Sequence, residues 1–133
     1  TPKPQSKRQG NTMGRILIVD DSPSQIEGLR RVVQKLGHDV VTAEDGLQGI
    51  EVAKRELPDL ILMDVVMPNL NGFQAMRQIS KDPKTSHIPV VLVTTKDQET
   101  DKVWGMRQGA KAYVVKPINE NELIKTINEL MPR

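Results

Sequence analysis

The stretch Ile16-Leu17-Ile18-Val19-Asp20-Asp21-Ser22-Pro23 decides the fold of this chain. Its four consecutive aliphatic residues are typical of a strand that is buried on both faces, as in a parallel sheet, and they are too few for an ordinary helix. The run stops at two adjacent carboxylates, after which Ser22 can cap a helix and Pro23 can occupy its first position. The stretch therefore predicts a strand, an acidic turn and a helix, in that order.

The same unit recurs along the rest of the chain. Further apolar runs, each a predicted strand, occupy residues 40–41, 60–63, 90–93 and 113–115. Predicted helices follow the strands: one from Ser22 to Gly37, then 47–57, 73–81 and 97–108, and a last one from the cap Asn119 through Leu130. This order predicts an α/β fold, a (βα)5 three-layer sandwich in which helices cover both faces of one parallel five-stranded sheet.

Length and charge limit the organisation of the chain and its partners. The 133 residues fit one domain, expected over residues 13–133. Residues 1–12 are polar, and we expect them to form a disordered tail, either native or left over from expression. Without the tail's three basic residues the net charge is −1, and aromatic residues make up only 2% of the chain, so we expect no nucleic-acid partner. No apolar run is long enough for membrane insertion, and the absence of cysteine suits the cytoplasm.

Polar residues follow four of the predicted strands. They are Asp20 with Asp21, Asp64, Thr94 with Thr95, and Lys116, which precedes Pro117. Each has an ordinary explanation: a helix cap, a turn former, a packed threonine or a solvated lysine. Because the carboxyl ends of parallel strands meet at one edge of a sheet, where α/β proteins bind ligands, their coincidence predicts a site.

The carboxylates of such a site would need a cation. Two of them about 4 Å apart repel by ~4 kcal/mol at an effective dielectric near 20. Lys116 supplies one positive charge, and Mg²⁺ (or Mn²⁺), which prefers oxygen ligands, would supply the rest. A zinc site is not expected, because the chain has no cysteine and neither His38 nor His87 follows a strand. We expect both histidines at the surface.

These residues together resemble the receiver domain of two-component response regulators. The resemblance rests on Asp-Asp after the first strand, D-x-x-M-P-x-x-x-G over residues 64–72, Thr94, and Y-x-x-K-P over residues 113–117. It covers the chain from Arg15 to about Met131. The resemblance implies a flavodoxin-like, CheY-like fold with strand order 2-1-3-4-5. The length of the chain is similar to that of a stand-alone, CheY-like regulator. The segments after the third and fourth strands resemble those of PilH-type regulators of twitching motility and type IV pili.

The resemblance implies a role for each site residue. Asp64 would accept a phosphoryl group from a sensor histidine kinase or its phosphotransfer domain. Asp20, Asp21, Asp64 and the backbone carbonyl of Val66 would hold the metal. Lys116 would bind the phosphoryl group and precede a cis peptide bond, and Thr94 and Tyr113 would form the switch. The protein would not be an enzyme beyond catalysing its own phosphorylation and dephosphorylation.

The resemblance also implies an output surface and bears on the lifetime of the phosphorylated state. A downstream protein would bind the fourth helix, fifth strand and fifth helix of a monomer or weak phosphorylation-dependent dimer. Trp104 lies on the predicted fourth helix, where it would either contact a partner protein or pack into the core. Thr95 is bulkier than the residue that is common at this position in the family, so the rates of phosphorylation and dephosphorylation stay open. Val66 has no polar group to orient a water, so we expect slow-to-moderate autodephosphorylation.

Other function classes stay open at this point. A flavodoxin-like redox carrier would need a phosphate-binding loop where the chain has Asp20-Asp21-Ser22-Pro23-Ser24, and more aromatic residues. The chain is alternatively the excised receiver of a longer transcriptional regulator, or a phosphorylation-independent adaptor. A phosphohydrolase with an aspartate nucleophile would turn over a free substrate, but a single small domain lacks a cap to select one.

Overall fold

The computed structural model describes residues 14–131, so the predictions for residues 1–12 and Met13 lie outside the described part. Strands and helices alternate throughout. The strands are β1 (Arg15–Val19), β2 (Asp39–Ala43), β3 (Leu60–Met63), β4 (Val90–Thr94) and β5 (Ala112–Val115). The helices are α1 (Pro23–Lys35), α2 (Gly46–Glu56), α3 (Gly72–Lys81), α4 (Glu99–Arg107) and α5 (Glu120–Leu130).

The five strands form one parallel sheet in the order β2-β1-β3-β4-β5, as predicted. The last residue of β1, Val19, pairs with Met63 of β3 and with Ala43 of β2. The carboxyl ends of these neighbouring strands therefore lie level with one another. This register is what brings the residues that follow β1 and β3 to the same place.

Both faces of the sheet are buried, which explains the uninterrupted apolar strands. Leu17 and Val19 of β1 pack in one hydrophobic cluster with α2 and α3. Ile16 and Ile18 point to the opposite face and pack with α1 and α5. Successive side chains of a strand alternate between faces, so each strand contributes to both clusters. The result is the three-layer sandwich that the sequence predicted.

Side-chain caps fix where most helices begin. The hydroxyl of Ser22 accepts a hydrogen bond from the backbone N–H of Gln25 at 3.4 Å, and Asp45, Asn71 and Asn119 cap α2, α3 and α5 in the same way. Gly37, expected to end α1, has a φ of 91° just beyond it. Capped starts hold the loops at the carboxyl edge of the sheet in place.

Two details differ from the sequence predictions. Helix α4 begins at Glu99 rather than at residue 97, because the backbone N–H of Gln98 donates to the Asp101 carboxylate at 3.3 Å and so starts the helix there. His38, expected at the surface, is buried just before β2, and its backbone N–H donates to the carbonyl of Val33 at 3.4 Å. Within residues 14–131 no helix has the length and apolar character needed to cross a membrane.

Candidate functional site

Three carboxylates meet at the carboxyl edge of the sheet. Asp20 and Asp21 follow β1, and Asp64 follows the adjacent strand β3. The backbone N–H of Asp64 donates to the carbonyl of Val19 at 3.0 Å, which continues the strand pairing up to the acidic residues. One carboxylate oxygen from each aspartate lies within 4.8 Å of the other two. The structure thus brings together the three acids that the sequence singled out.

The three aspartates differ in burial and in hydrogen bonding. Asp20 and Asp64 are buried, whereas Asp21 is exposed. Oδ1 of Asp20 accepts from the backbone N–H of Ser22 at 2.9 Å, and Oδ1 of Asp64 accepts from that of Val66 at 3.3 Å. The Asp20 carboxylate is therefore held more firmly than that of Asp64.

Lys116 brings a positive charge to the cluster from the end of β5. Its Nζ lies 2.7 Å from Oδ2 of Asp20 and 3.5 Å from Oδ2 of Asp64. The backbone N–H of Lys116 donates to the carbonyl of Thr94 at 2.8 Å, and the Lys116-Pro117 peptide bond is cis. One ammonium among three carboxylates leaves two negative charges uncompensated.

That excess charge fits a hard divalent cation. The ligand atoms on offer are carboxylate oxygens, the donors that Mg²⁺ and Mn²⁺ prefer. Asp20, Asp21 and Asp64 are the side chains that could hold such an ion. The Val66 carbonyl, the fourth expected ligand, belongs to the loop after Asp64, and the Val66 side chain is exposed. The acidic cluster consists of the three aspartates and includes neither His38 nor His87.

The loop after β3 depends on Gly72. The N–H of Gly72 donates to the carbonyl of Val65 at 2.9 Å, which folds the loop back against the residues that follow β3. A Cβ atom at this position would collide with the backbone carbonyl of Asp64 and lie 2.8 Å from Cα of Val65. Gly46 at the start of α2 is similar, since a Cβ there would collide with the Leu70 carbonyl. Sequence reasoning singled out Gly72 but missed Gly46, for which the sequence gives no signal.

Thr94 ends β4 and is fully buried. Its hydroxyl oxygen accepts a hydrogen bond from the backbone N–H of Lys96 at 3.3 Å. Thr95, the residue that departs from the common pattern, is exposed. The threonine hydroxyl is thus tied to the loop that leads into α4.

Tyr113 of β5 contacts the same loop. Its hydroxyl donates to the backbone carbonyl of Lys96 at 2.8 Å. Burial of the ring, and then the negative charges of Asp101, Asp64 and Asp97, raise the pKa of the Tyr113 hydroxyl to about 12. Thr94 and Tyr113 therefore both make hydrogen bonds to the backbone of Lys96.

The adjoining helix α4 presents apolar side chains to solvent. Val103, Trp104 and Met106 are 43%, 46% and 47% exposed. Trp104 therefore does not pack into the core, which was one of the two alternatives for it. Two shallow pockets lie on this helix, and Val103 and Arg107 line both of them.

Sequence comparisons agree with this architecture. Residues 16–128 match the family described as the response regulator receiver domain. The chain is 59% identical to the protein PilH of Pseudomonas aeruginosa over 119 residues, which is 90% of this chain and 98% of PilH. It is 40% identical to the response regulator PleD of Caulobacter vibrioides over 116 residues, which is 87% of this chain but 26% of PleD.

Solved structures give the same result. The Vibrio cholerae chemotaxis protein CheY4 superposes with a TM-score of 0.83 at 31% identity, over 90% of this chain and 99% of CheY4. The receiver domain of the sensor histidine kinase PA1611 from P. aeruginosa, solved with a magnesium ion coordinated in its active-site cleft, gives a TM-score of 0.83 at 28% identity. This match covers 90% of this chain and 98% of that domain.

Proposed function

Since the chain belongs to the response regulator receiver domain family, we propose that it is a phosphorylatable signalling switch with Asp64 as the phosphoacceptor. The observation that carries the proposal is the meeting of three carboxylate oxygens within 4.8 Å of one another, with the Lys116 ammonium beside them. Receiver domains work with histidine kinases and downstream targets. The expected donor is therefore a phosphohistidine on a sensor kinase or on its phosphotransfer domain.

The hydrogen bonds support Asp64 rather than Asp20 as the nucleophile. Both oxygens of Asp20 are engaged, one by the N–H of Ser22 at 2.9 Å and the other by Lys116 at 2.7 Å. The two contacts of Asp64 are longer, at 3.3 and 3.5 Å. The Asp64 oxygens are therefore held less tightly than those of Asp20, which favours an Asp64 oxygen as the group that attacks phosphorus. The P–N bond to the donor imidazole then breaks, and the imidazole keeps the electron pair and takes up a proton.

The surrounding residues would serve this transfer by position and charge. Asp20, Asp21, Asp64 and the Val66 carbonyl would hold Mg²⁺ or Mn²⁺, which when bound neutralises charge on the phosphoryl oxygens. The magnesium ion in the PA1611 receiver domain supports this choice of metal. Lys116, whose Nζ lies 3.5 Å from Asp64, would bind another phosphoryl oxygen, and the Thr94 hydroxyl would bind a third. The protein would act only on itself and turn over no free substrate.

Phosphorylation would then change the output face formed by α4, β5 and α5. A phosphoryl group adds up to about two negative charges and three acceptors, which Thr94 can bind only in the phosphorylated state. Two hydrogen bonds, one donated by the Lys96 N–H to the Thr94 hydroxyl and one donated by the Tyr113 hydroxyl to the Lys96 carbonyl, would connect that event to α4. Exposed Val103, Trp104 and Met106 would meet a downstream protein there.

The similarity to PilH extends the proposal to cellular role. At 59% identity, control of type IV pili and twitching or a related chemotaxis-like motility is the role that we propose. The chain covers 98% of PilH and 26% of PleD, so the relatives include both a receiver alone and a receiver within a longer protein. The proposed switch and its cytoplasmic location hold for either arrangement.

The test is labelling with acetyl phosphate and Mg²⁺, followed by intact-mass measurement. The wild-type protein should gain the mass of one phosphoryl group, and Asp64→Asn should gain none. Asp97→Asn, which changes an exposed aspartate outside the acidic cluster, is the matched control and should label normally. Excess EDTA or Asp21→Asn should slow labelling. A wild-type mass that never rises with any phosphodonor would refute the switch and leave the adaptor alternative.

A further inference from the structure

Helix α4 approaches the sheet through a glycine. All of α4 lies in the described part of the chain, and Gly105 is its only buried residue. The neighbouring Val103, Trp104 and Met106, here called the α4 patch, are exposed. The helix is therefore not anchored to the core by a large apolar side chain, as most surface helices are.

The space at Gly105 is already occupied by its neighbours. A Cβ atom there would lie 2.8 Å from Cδ1 of Leu92 and 3.2 Å from both Cδ2 and Cε2 of Tyr113. Ordinary carbon contacts are about 3.5–4.0 Å, so the backbone of α4 rests directly on the tyrosine ring and the leucine. A glycine inside a helix costs roughly 1 kcal/mol relative to alanine. At Gly105 any side chain would have to displace the Leu92 methyl group and shift the Tyr113 ring by a few tenths of an ångström.

Tyr113 touches the α4 segment at two places. Its hydroxyl binds the Lys96 carbonyl in the loop before the helix, and its ring edge lies under Gly105 in the helix itself. Lys96 also reaches the helix start, with Nζ 4.0 Å from Oδ1 of Asp101. A displacement of the ring would therefore act on both the beginning and the middle of α4.

We propose that Gly105 is a positioning residue. Because it has no side chain, α4 packs directly on the Tyr113 ring, and the position of the ring determines the position of the α4 patch. The role of this coupling in signalling rests on the proposed function. The coupling itself is a property of the unphosphorylated protein and can be measured there.

The experiment compares Gly105→Ala with Gly28→Ala. Gly28 is also a helical glycine, but a Cβ there would meet nothing within 4 Å. The chain has one tyrosine and one tryptophan, so nitration by tetranitromethane reports Tyr113 and acrylamide quenching reports Trp104. Gly105→Ala should raise the nitration rate and the quenching constant, each on the order of twofold or more, because helix and ring are forced apart. Gly28→Ala should change neither, and identical behaviour of the two variants would overturn the proposal.

A second pair of variants separates the tyrosine from the leucine and covers the case in which Gly105→Ala does not fold. Leu92→Ala removes Cδ1, the closest of the three atoms, and leaves the tyrosine ring as the contact. Leu92→Ala/Gly105→Ala should still be nitrated faster than Leu92→Ala alone. Equal rates would mean that Gly105 acts through core packing, which would overturn the proposal. Because no phosphodonor is used, failure of Asp64 labelling remains a separate result.

Discussion

Lys116 Nζ lies closer to Asp20, at 2.7 Å from its Oδ2, than to the proposed phosphoacceptor Asp64, at 3.5 Å. The side chains of Lys116 and Asp20 are only 9% and 2% exposed, so this is a buried ion pair. Asp20 would therefore hold a divalent cation as well as this ammonium, and Lys116 has Asp64 as its second partner at 3.5 Å.

The first prediction concerns the substitution Lys116→Met. Without divalent metal it leaves Asp20 buried and unpaired among other carboxylates, so the free energy of unfolding should fall by about 3 kcal/mol. Saturating Mg²⁺ should restore most of this loss, because the ion supplies the missing charge. Urea unfolding in EDTA and in Mg²⁺ measures both values. Lys111→Met, at an exposed position, is the control and should be nearly neutral; an equal loss with and without Mg²⁺ would contradict the prediction.

The second prediction concerns the loop that supports Asp64. Gly72→Ala places a Cβ against the Asp64 carbonyl and the Val65 backbone, which cannot move aside as a flexible side chain can. We expect the free energy of unfolding to fall by about 1–3 kcal/mol and acetyl phosphate labelling of Asp64 to slow. Gly28→Ala should keep the wild-type labelling rate and gain stability by up to about 1 kcal/mol. Parallel behaviour of the two alanine variants would count against the role of Gly72.

Local signals in the sequence were sufficient for most of this architecture. Strands in which apolar residues do not alternate with polar ones require burial on both faces. Ser22 and Asn119 mark helix starts because each side chain accepts a hydrogen bond from the backbone N–H three residues later. The acids could be assigned to one edge because topology alone places the ends of β1 and β3 together.

What the sequence could not predict depends on contacts between distant segments. Gly46 and Gly105 are ordinary glycines in the sequence, and only the packing of Leu70 and Tyr113 against them shows why a side chain is excluded. The surface position expected for His38 was wrong, since a polar residue after a glycine gives no sign that β2 starts beside it. The start of α4 was placed too early for a different, local reason, because its polar first turn has no hydrophobic period that would mark the first residue of the helix.

The third prediction concerns the lifetime of the phosphorylated state. Val66 is 55% exposed beside Asp64 and offers no polar atom to orient an attacking water. We therefore expect the phosphoryl group on Asp64 to persist for longer than a few seconds, and Val66→Asn to shorten its half-life. Loss of the added mass after removal of the donor gives both rates. Val103→Asn, at an exposed position on α4, is the control, and equal half-lives for the two asparagine variants would refute this role of Val66.

The fourth prediction concerns stability at alkaline pH. Burial and nearby aspartates raise the pKa of Tyr113 from 10.0 to about 12 in the folded protein. Between these values the unfolded chain loses the phenol proton while the folded chain keeps it. The stabilisation from this proton is complete below about pH 10 and is lost as the pH rises towards about 12.

The comparison of wild type with Tyr113→Phe isolates this effect, because all other side chains are common to both proteins. The free energy of unfolding of the wild type should fall more steeply than that of Tyr113→Phe between about pH 10 and about pH 12. Absorbance titration of the single tyrosine gives an independent reading, provided that far-UV circular dichroism shows the protein still folded. Parallel stability profiles, together with a midpoint near the ordinary tyrosine pKa in the folded protein, would show that the ring is solvated and that its hydroxyl does not hold the loop before α4.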